Sequence, residues 1–274
     1  MTKKSKTYVV SWDRVYENSL EVDRQLSEAG IDYLMYNDSS KPELNSNWVR
    51  AEKVFFLGHF YNSLKDFVKT DYPVFIFNAG DAVYSHHAEL TRKAESILIS
   101  DPDCWAYAPS VNGSSSWSWD GSSIEASKKH PGLFLSTQTD AVWVALSRDL
   151  VNIVIDFFEW MFENEHFDRE FKKICIGWGL DSFFCAVTIC MNKKIYRDWS
   201  LVVYHDANTS YDHSIAAQQM IMTIQKSVGF TETLGIEFER VKKAYDIMYD
   251  KANTKRKIMM SDVYMDYPNV GFEL

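Results

Sequence analysis

With 274 residues, 46% of them hydrophobic and 15% aromatic, the chain is long enough to bury one large core and too apolar to be disordered. Its formal charge of −9 offers no broad attraction for a polyanion, so nucleic acid would have to be met by a local basic patch. Lys128-Lys129-His130 and Lys251 to Lys257 are short candidates that a solvated helix end or loop explains as well. The longest apolar runs, such as Leu150 to Phe158, are broken by Asn152 and Asp156 and fall short of the roughly 20 residues of a membrane span. Met1 to Lys6 carries charge with no apolar core behind it, which predicts neither signal peptide nor anchor and a cytoplasmic chain. Cys104, Cys175, Cys185 and Cys190 show no C-x-x-C spacing and read as buried, reduced thiols.

In chain order, Tyr8 to Trp12 reads as a strand, Asn18 to Ala29 as a helix capped by Asn18 and stopped by Gly30, and Ile31 to Tyr36 as a second strand. After a polar loop containing Pro42, Lys53 to Leu57 is a third strand, Tyr61 to Lys69 a helix, Pro73 to Phe77 a fourth strand and Ser85 to Ile99 a helix. This alternation predicts βαβ units and an α/β fold with a mostly parallel central sheet. Ligands of such sheets bind beyond the carboxyl ends of the strands, here just after Trp12 and Phe77. Ser110 to Gly132 is a long polar stretch carrying Trp117, Trp119 and Asp120; its tryptophans either stack on a sugar or base or pin the loop to the body. Gly132 to Ser136 and Ala141 to Leu146 read as strands around Thr137 to Asp140, followed by a helix over Asp149 to Glu163. Leu201 to Tyr204 is a strand running into His205-Asp206, and Ser214 to Val228 and Ile236 to Lys251 are helices with Gly235 between them. The organisation expected is one domain over 1–211 with a helical extension, 212–274, packed on it.

The most specific stretch is Ile176-Gly177-Trp178-Gly179-Leu180-Asp181, where glycines on both sides of Trp178 permit backbone angles that other residues resist. Asp181 follows near a helix start, where the dipole favours negative charge and where an acid also serves as a simple N-cap. Asn78-Ala79-Gly80-Asp81 after the fourth strand is an acidic loop with one carboxylate. G-W-G-L-D resembles the signature of nucleotide-sugar-dependent glycosyltransferases with the GT-A fold, in the order acidic loop, G-W-G-L-D, late His. The resemblance covers about residues 7 to 210.

The resemblance implies a GT-A-type Rossmann-like sheet and a D-x-D loop that holds Mn2+ or Mg2+ with the donor diphosphate. Asp81 matches the second acid of that pattern, whereas Ala79 stands at the first. It implies His205 as the metal ligand beside Asp81, and Asp181 as the base, with Phe183 and Phe184 desolvating it. Ser11, Trp12 and Asp13 would meet the uracil or other base, with a UDP-sugar as the expected donor, while Asn78, Asp140, Trp178 and Gly179 complete the donor site. His86 and His87 are weaker candidates, serving either their helix or a phosphate. The function implied is transfer of a hexosyl or pentosyl group from a nucleotide sugar to a hydroxyl of a saccharide, a protein or, as in phage enzymes, a hydroxymethylated DNA base, with inversion or retention left open. The alternative is a binding protein on the same scaffold without turnover, which the residue at Ala79 favours.

Overall fold

The computed structural model describes residues 4–54, 56–112, 123–163, 177–205 and 212–250. Chain order runs β1 (Ser5–Ser11), α1 (Tyr16–Glu28), β2 (Tyr33–Asn37), β3 (Trp48–Arg50), α2 (Phe56–Phe67), β4 (Val74–Asn78), β5 (Ala82–Val83), α3 (His87–Ser100) and β6 (Cys104–Asn112). It continues β7 (Ser123–Ala126), β8 (Leu133–Ser136), β9 (Trp143–Ser147), α4 (Arg148–Glu163), α5 (Leu180–Cys190), β10 (Lys194–His205), α6 (His213–Thr233) and α7 (Phe238–Asp250). The strands form one sheet ordered β3-β2-β1-β4-β9-β6-β10-β8-β7, with β5 added on β10. β3, β2, β1 and β4 are parallel, β9 is antiparallel to β4 and β6, and β10 again parallels β6. Only β9, β8 and β5 run against the common direction among these strands, which makes the sheet mixed and mostly parallel.

Every residue of β4 is buried, as a central strand covered on both faces requires. Its two-residue period divides two cores. Phe75 and Phe77 join Phe60, Phe157, Phe183 and Tyr245 on the face covered by α2, α4, α5 and the last two helices. Val74 and Ile76 join Leu90, Ile97 and Tyr107 on the face covered by α3. Each of these side chains contributes roughly 1.5–3 kcal/mol by burial, so the carboxyl ends of β1 and β4 rest on a rigid base.

Two sequence expectations are corrected. The apolar run ending at Leu57 opens α2 and is not a strand: Leu57, Phe60, Tyr61 and Leu64 fall at i, i+3, i+4 and i+7 and are all buried, and the third strand is the earlier Trp48–Arg50. Asn18 does not cap α1. A 3-10 turn over Asp13–Val15 starts that helix at Tyr16, leaving Asn18 inside its first turn with its amide free to bond elsewhere. The long polar stretch also gives its first residues to β6 and its Ser123–Ala126 segment to β7, while Trp117, Trp119 and Asp120 lie outside the described residues.

The described cysteines, Cys104, Cys185 and Cys190, are buried and free, and Cys175 lies outside the described residues. Among the described residues no helix is long and apolar enough to cross a membrane.

Candidate active site

Past the end of β4 the chain turns through Ala79 and Gly80 to Asp81. Gly80 has φ +71°, and a Cβ there would lie 1.8 Å from the Val10 carbonyl oxygen and 3.2 Å from the Trp12 ring. Only glycine lets the loop press this closely on β1. Three bonds fix it: Asn78 Oδ1 accepts the Gly80 N–H at 3.1 Å, Asn18 Nδ2 donates to the Gly80 carbonyl at 2.6 Å, and the Ala79 N–H donates to the Val142 carbonyl at 2.8 Å.

The Asp81 carboxylate is the centre of the cluster. His205 Nε2 lies 3.1 Å from its Oδ2, because the antiparallel pair of His205 with Ala82 brings the end of β10 back to the loop. Arg14 Nη2, from the turn after β1, approaches the same Oδ2 at 4.0 Å. Asp81 Oδ1 is buried and has no hydrogen-bond partner. Burial pulls the His205 pKa down, but the hydrogen bond to Asp81, the charge of Asp81 and that of Asp140 outweigh burial and leave the imidazole above its ordinary value. Asp140 is held by the Val142 N–H, donated to its Oδ1 at 2.9 Å; the same residue's carbonyl holds Ala79, so the two acidic loops are tied through one residue.

Gly177 and Gly179 both have positive φ, +96° and +93°. A Cβ on Gly179 would press on the Met220 carbonyl oxygen at 3.0 Å and on Thr223 at 3.1 Å, so this turn packs directly against α6. Half-buried Trp178 packs on the larger core, and Asp181 is the second residue of α5, half-buried, with Oδ1 accepting the Ser182 N–H at 2.8 Å. Gly179, not Asp181, is the N-cap residue. Burial drives the Cys185 thiol well above its ordinary pKa, with the charges of Asp181 and Asp140 adding and that of Arg197 opposing. The charge of Asp140 thus acts on both His205 and Cys185, and that of Asp181 on Cys185.

At the end of β1, Ser11 is fully buried and its carbonyl accepts the Asp38 N–H. Exposed Asp13 takes the N–H and hydroxyl of Ser40 at 2.7 and 2.6 Å, bonds that hold its carboxyl below the usual range. The structure therefore brings together Asp81, His205 and Asp140, with Trp12 against Gly80 and Asn78 beneath the loop, while Asp181 stands at the start of α5. His87 is only 1% exposed and faces Asn78 at 3.4 Å; burial takes it to a pKa of about 4, so it is a support of the loop and not a phosphate contact. His86 is exposed. Sequence reasoning missed Arg14, Asn18 and the part-buried pair of Asp38 with His59, 2.9 Å apart. Arg14 follows directly on the residues proposed for the base, which was a signal; Asn18 gave none.

The donor chemistry fits a divalent cation: a carboxylate oxygen with no partner lies on the group that also faces an imidazole nitrogen, and both suit Mn2+. No group of three or more His, Cys, Asp or Glu side chains that would hold a metal forms among the described residues, so the remaining ligands would have to be water and donor phosphates.

No family model matches the sequence, and no curated protein matches it. Among solved structures the chain is similar to the mannosyltransferase PcManGT from Pyrobaculum calidifontis in complex with GDP-Man and Mn2+, at 10% identity and TM-score 0.50 over 96% of this chain and 80% of that one. It is also similar to GalNAc-T7 with UDP, GalNAc and Mn2+, at 10% identity and TM-score 0.52 over 97% of this chain and 57% of that one, spanning a little over half its length. The fold is that of the GT-A glycosyltransferases.

Proposed function

We propose that the protein is a glycosyltransferase that moves a hexosyl or pentosyl group from a nucleoside-diphosphate sugar, UDP-linked in the first instance, to an acceptor hydroxyl. The observation that carries this is the Asp81 carboxylate at the carboxyl end of β4, with Oδ1 buried and unpartnered and Oδ2 beside His205. Asp81 and His205 would hold Mn2+ or Mg2+, which when bound supplies positive charge to the departing diphosphate. Trp12 and Asp13 would meet the nucleotide at the end of β1, and Asp140, Trp178 and Gly179 would line the sugar. Ser11 and Asn78 would act from beneath, through the backbone they hold. In an inverting transfer the acceptor oxygen bonds to the anomeric carbon as that carbon's bond to the phosphate oxygen breaks. The electron pair leaves with the nucleoside diphosphate, and the acceptor proton passes to Asp181, whose carboxylate is oriented by the Ser182 N–H.

One observation favours the binding-protein reading: the first position of the acidic loop is Ala79, 4% exposed. Nucleotide release from UDP-, GDP- and CMP-sugars, measured with Mn2+ and with EDTA, separates the two. Metal-dependent release lost in Asp81→Asn and Asp181→Asn supports the transferase. Binding of nucleotide without release by the native chain supports the other reading.

A further inference from the structure

We infer that Arg14 is a donor-binding residue whose guanidinium takes the diphosphate of the nucleotide sugar; this rests on the transferase reading above. The guanidinium stands 4.0 Å from Asp81 Oδ2, longer than a hydrogen bond, while His205 holds the closer position at 3.1 Å. Of these three side chains Arg14 is the exposed one, at 47% against 15% for Asp81 and 21% for His205, so it borders the open side of the cluster. Its turn is anchored on both sides, by Asp13 on Ser40 and by buried Val15 and Tyr16, which aims it without burying it.

Charge makes the assignment specific. A loop with acids at both positions would set two carboxylates against the two negative charges of a diphosphate. Here Ala79 removes one and Arg14 adds a positive charge at the same carboxylate. The site is therefore two charges more positive than a two-acid loop without the arginine. Guanidinium matches phosphate oxygens in a forked, charge-assisted geometry, and such donors are most effective where negative charge develops on the leaving group. It follows that donor diphosphate should be held in part even without a divalent cation.

The test is calorimetric binding of UDP and of uridine to the native chain, Arg14→Ala and Arg14→Lys, each in EDTA and in Mn2+, with thermal melting as the folding control. Arg14→Ala is expected to weaken UDP about ten- to a hundred-fold in EDTA, the scale of a charge-assisted hydrogen bond. Uridine binding should be unchanged, and Arg14→Lys should recover part of the loss. Equal UDP binding by the native chain and Arg14→Ala, or equal losses for UDP and uridine, would overturn the assignment alone. A native chain that binds no UDP, GDP or CMP in either condition would overturn the transferase reading and the assignment with it.

Discussion

Replacing Gly80 by alanine should do far more damage than the same change at Gly30, although both glycines have nearly the same φ, +71° and +65°. An alanine at positive φ costs about 1 kcal/mol, and Gly30 has nothing within 4 Å of the added methyl, so Gly30→Ala should lose about that and no more. At Gly80 the methyl would lie 1.8 Å from the Val10 carbonyl oxygen, where ordinary contact begins at 3.4 Å. β1 cannot yield, being registered against β2 and β4 on both sides. The loop must therefore retreat by well over an ångström, breaking the bond Gly80 accepts from Asn18 and the one it donates to Asn78 at about 1 kcal/mol each. The total is about 3 kcal/mol. Urea unfolding of the native chain and both variants measures the difference, and nucleotide release measures the displacement of Asp81, which should be lost in Gly80→Ala and kept in Gly30→Ala. Equal destabilisation by the two substitutions, or full metal-dependent release by Gly80→Ala, would refute the reasoning.

Asp181→Asn should lower the rate of nucleotide release roughly 10²- to 10⁴-fold, the range of general-base catalysis, and leave UDP affinity measured by calorimetry unchanged. Asp81→Asn should remove the Mn2+ dependence of UDP affinity yet leave unfolding free energy at about pH 9 equal or higher, since the native carboxylate carries a buried oxygen with no partner. His205 has its pKa raised in the fold, so the stability it contributes is fully present below its unfolded value of about 6.5 and fades as pH rises through the folded value. Melting without metal should accordingly show the gap between the native chain and His205→Gln closing from about pH 6 to pH 9, while Mn2+ affinity rises over the same window as the imidazole gives up its proton.

The parallel half of the sheet was legible because β1, β2 and β4 are separated by helices with clear periodicity, and the fully apolar Val74 to Phe77 admits little else than a central strand. The third strand was misplaced for a physical reason: a short apolar run has no period of its own, and only the continuation through Phe60, Tyr61 and Leu64 reveals the helix. β5 is too short to announce itself, yet its two residues carry the pairing that brings His205 to Asp81. The order of motifs indicated that these two belong together. Asn18 was misread because a polar residue near a helix start is a good cap, and nothing local reveals that the turn over Asp13–Val15 begins the helix earlier and sends the amide to Gly80.

The loop's single acid follows from packing. Ala79 belongs to the larger core, and both its backbone groups are engaged, the N–H by Val142 and the carbonyl by the Asp81 N–H. A carboxylate at this buried position would be desolvated at a cost of several kcal/mol. With the first acid position buried, a second ligand to the proposed cation would have to come from another element, and the antiparallel pair of β5 with β10 brings His205 to the same carboxylate. Under the proposed function, the exchange of a carboxylate for an imidazole would reduce negative charge beside the donor phosphates. The same packing that excludes an acid at Ala79 therefore leaves a cluster suited to an anionic ligand, with Arg14 at its open side.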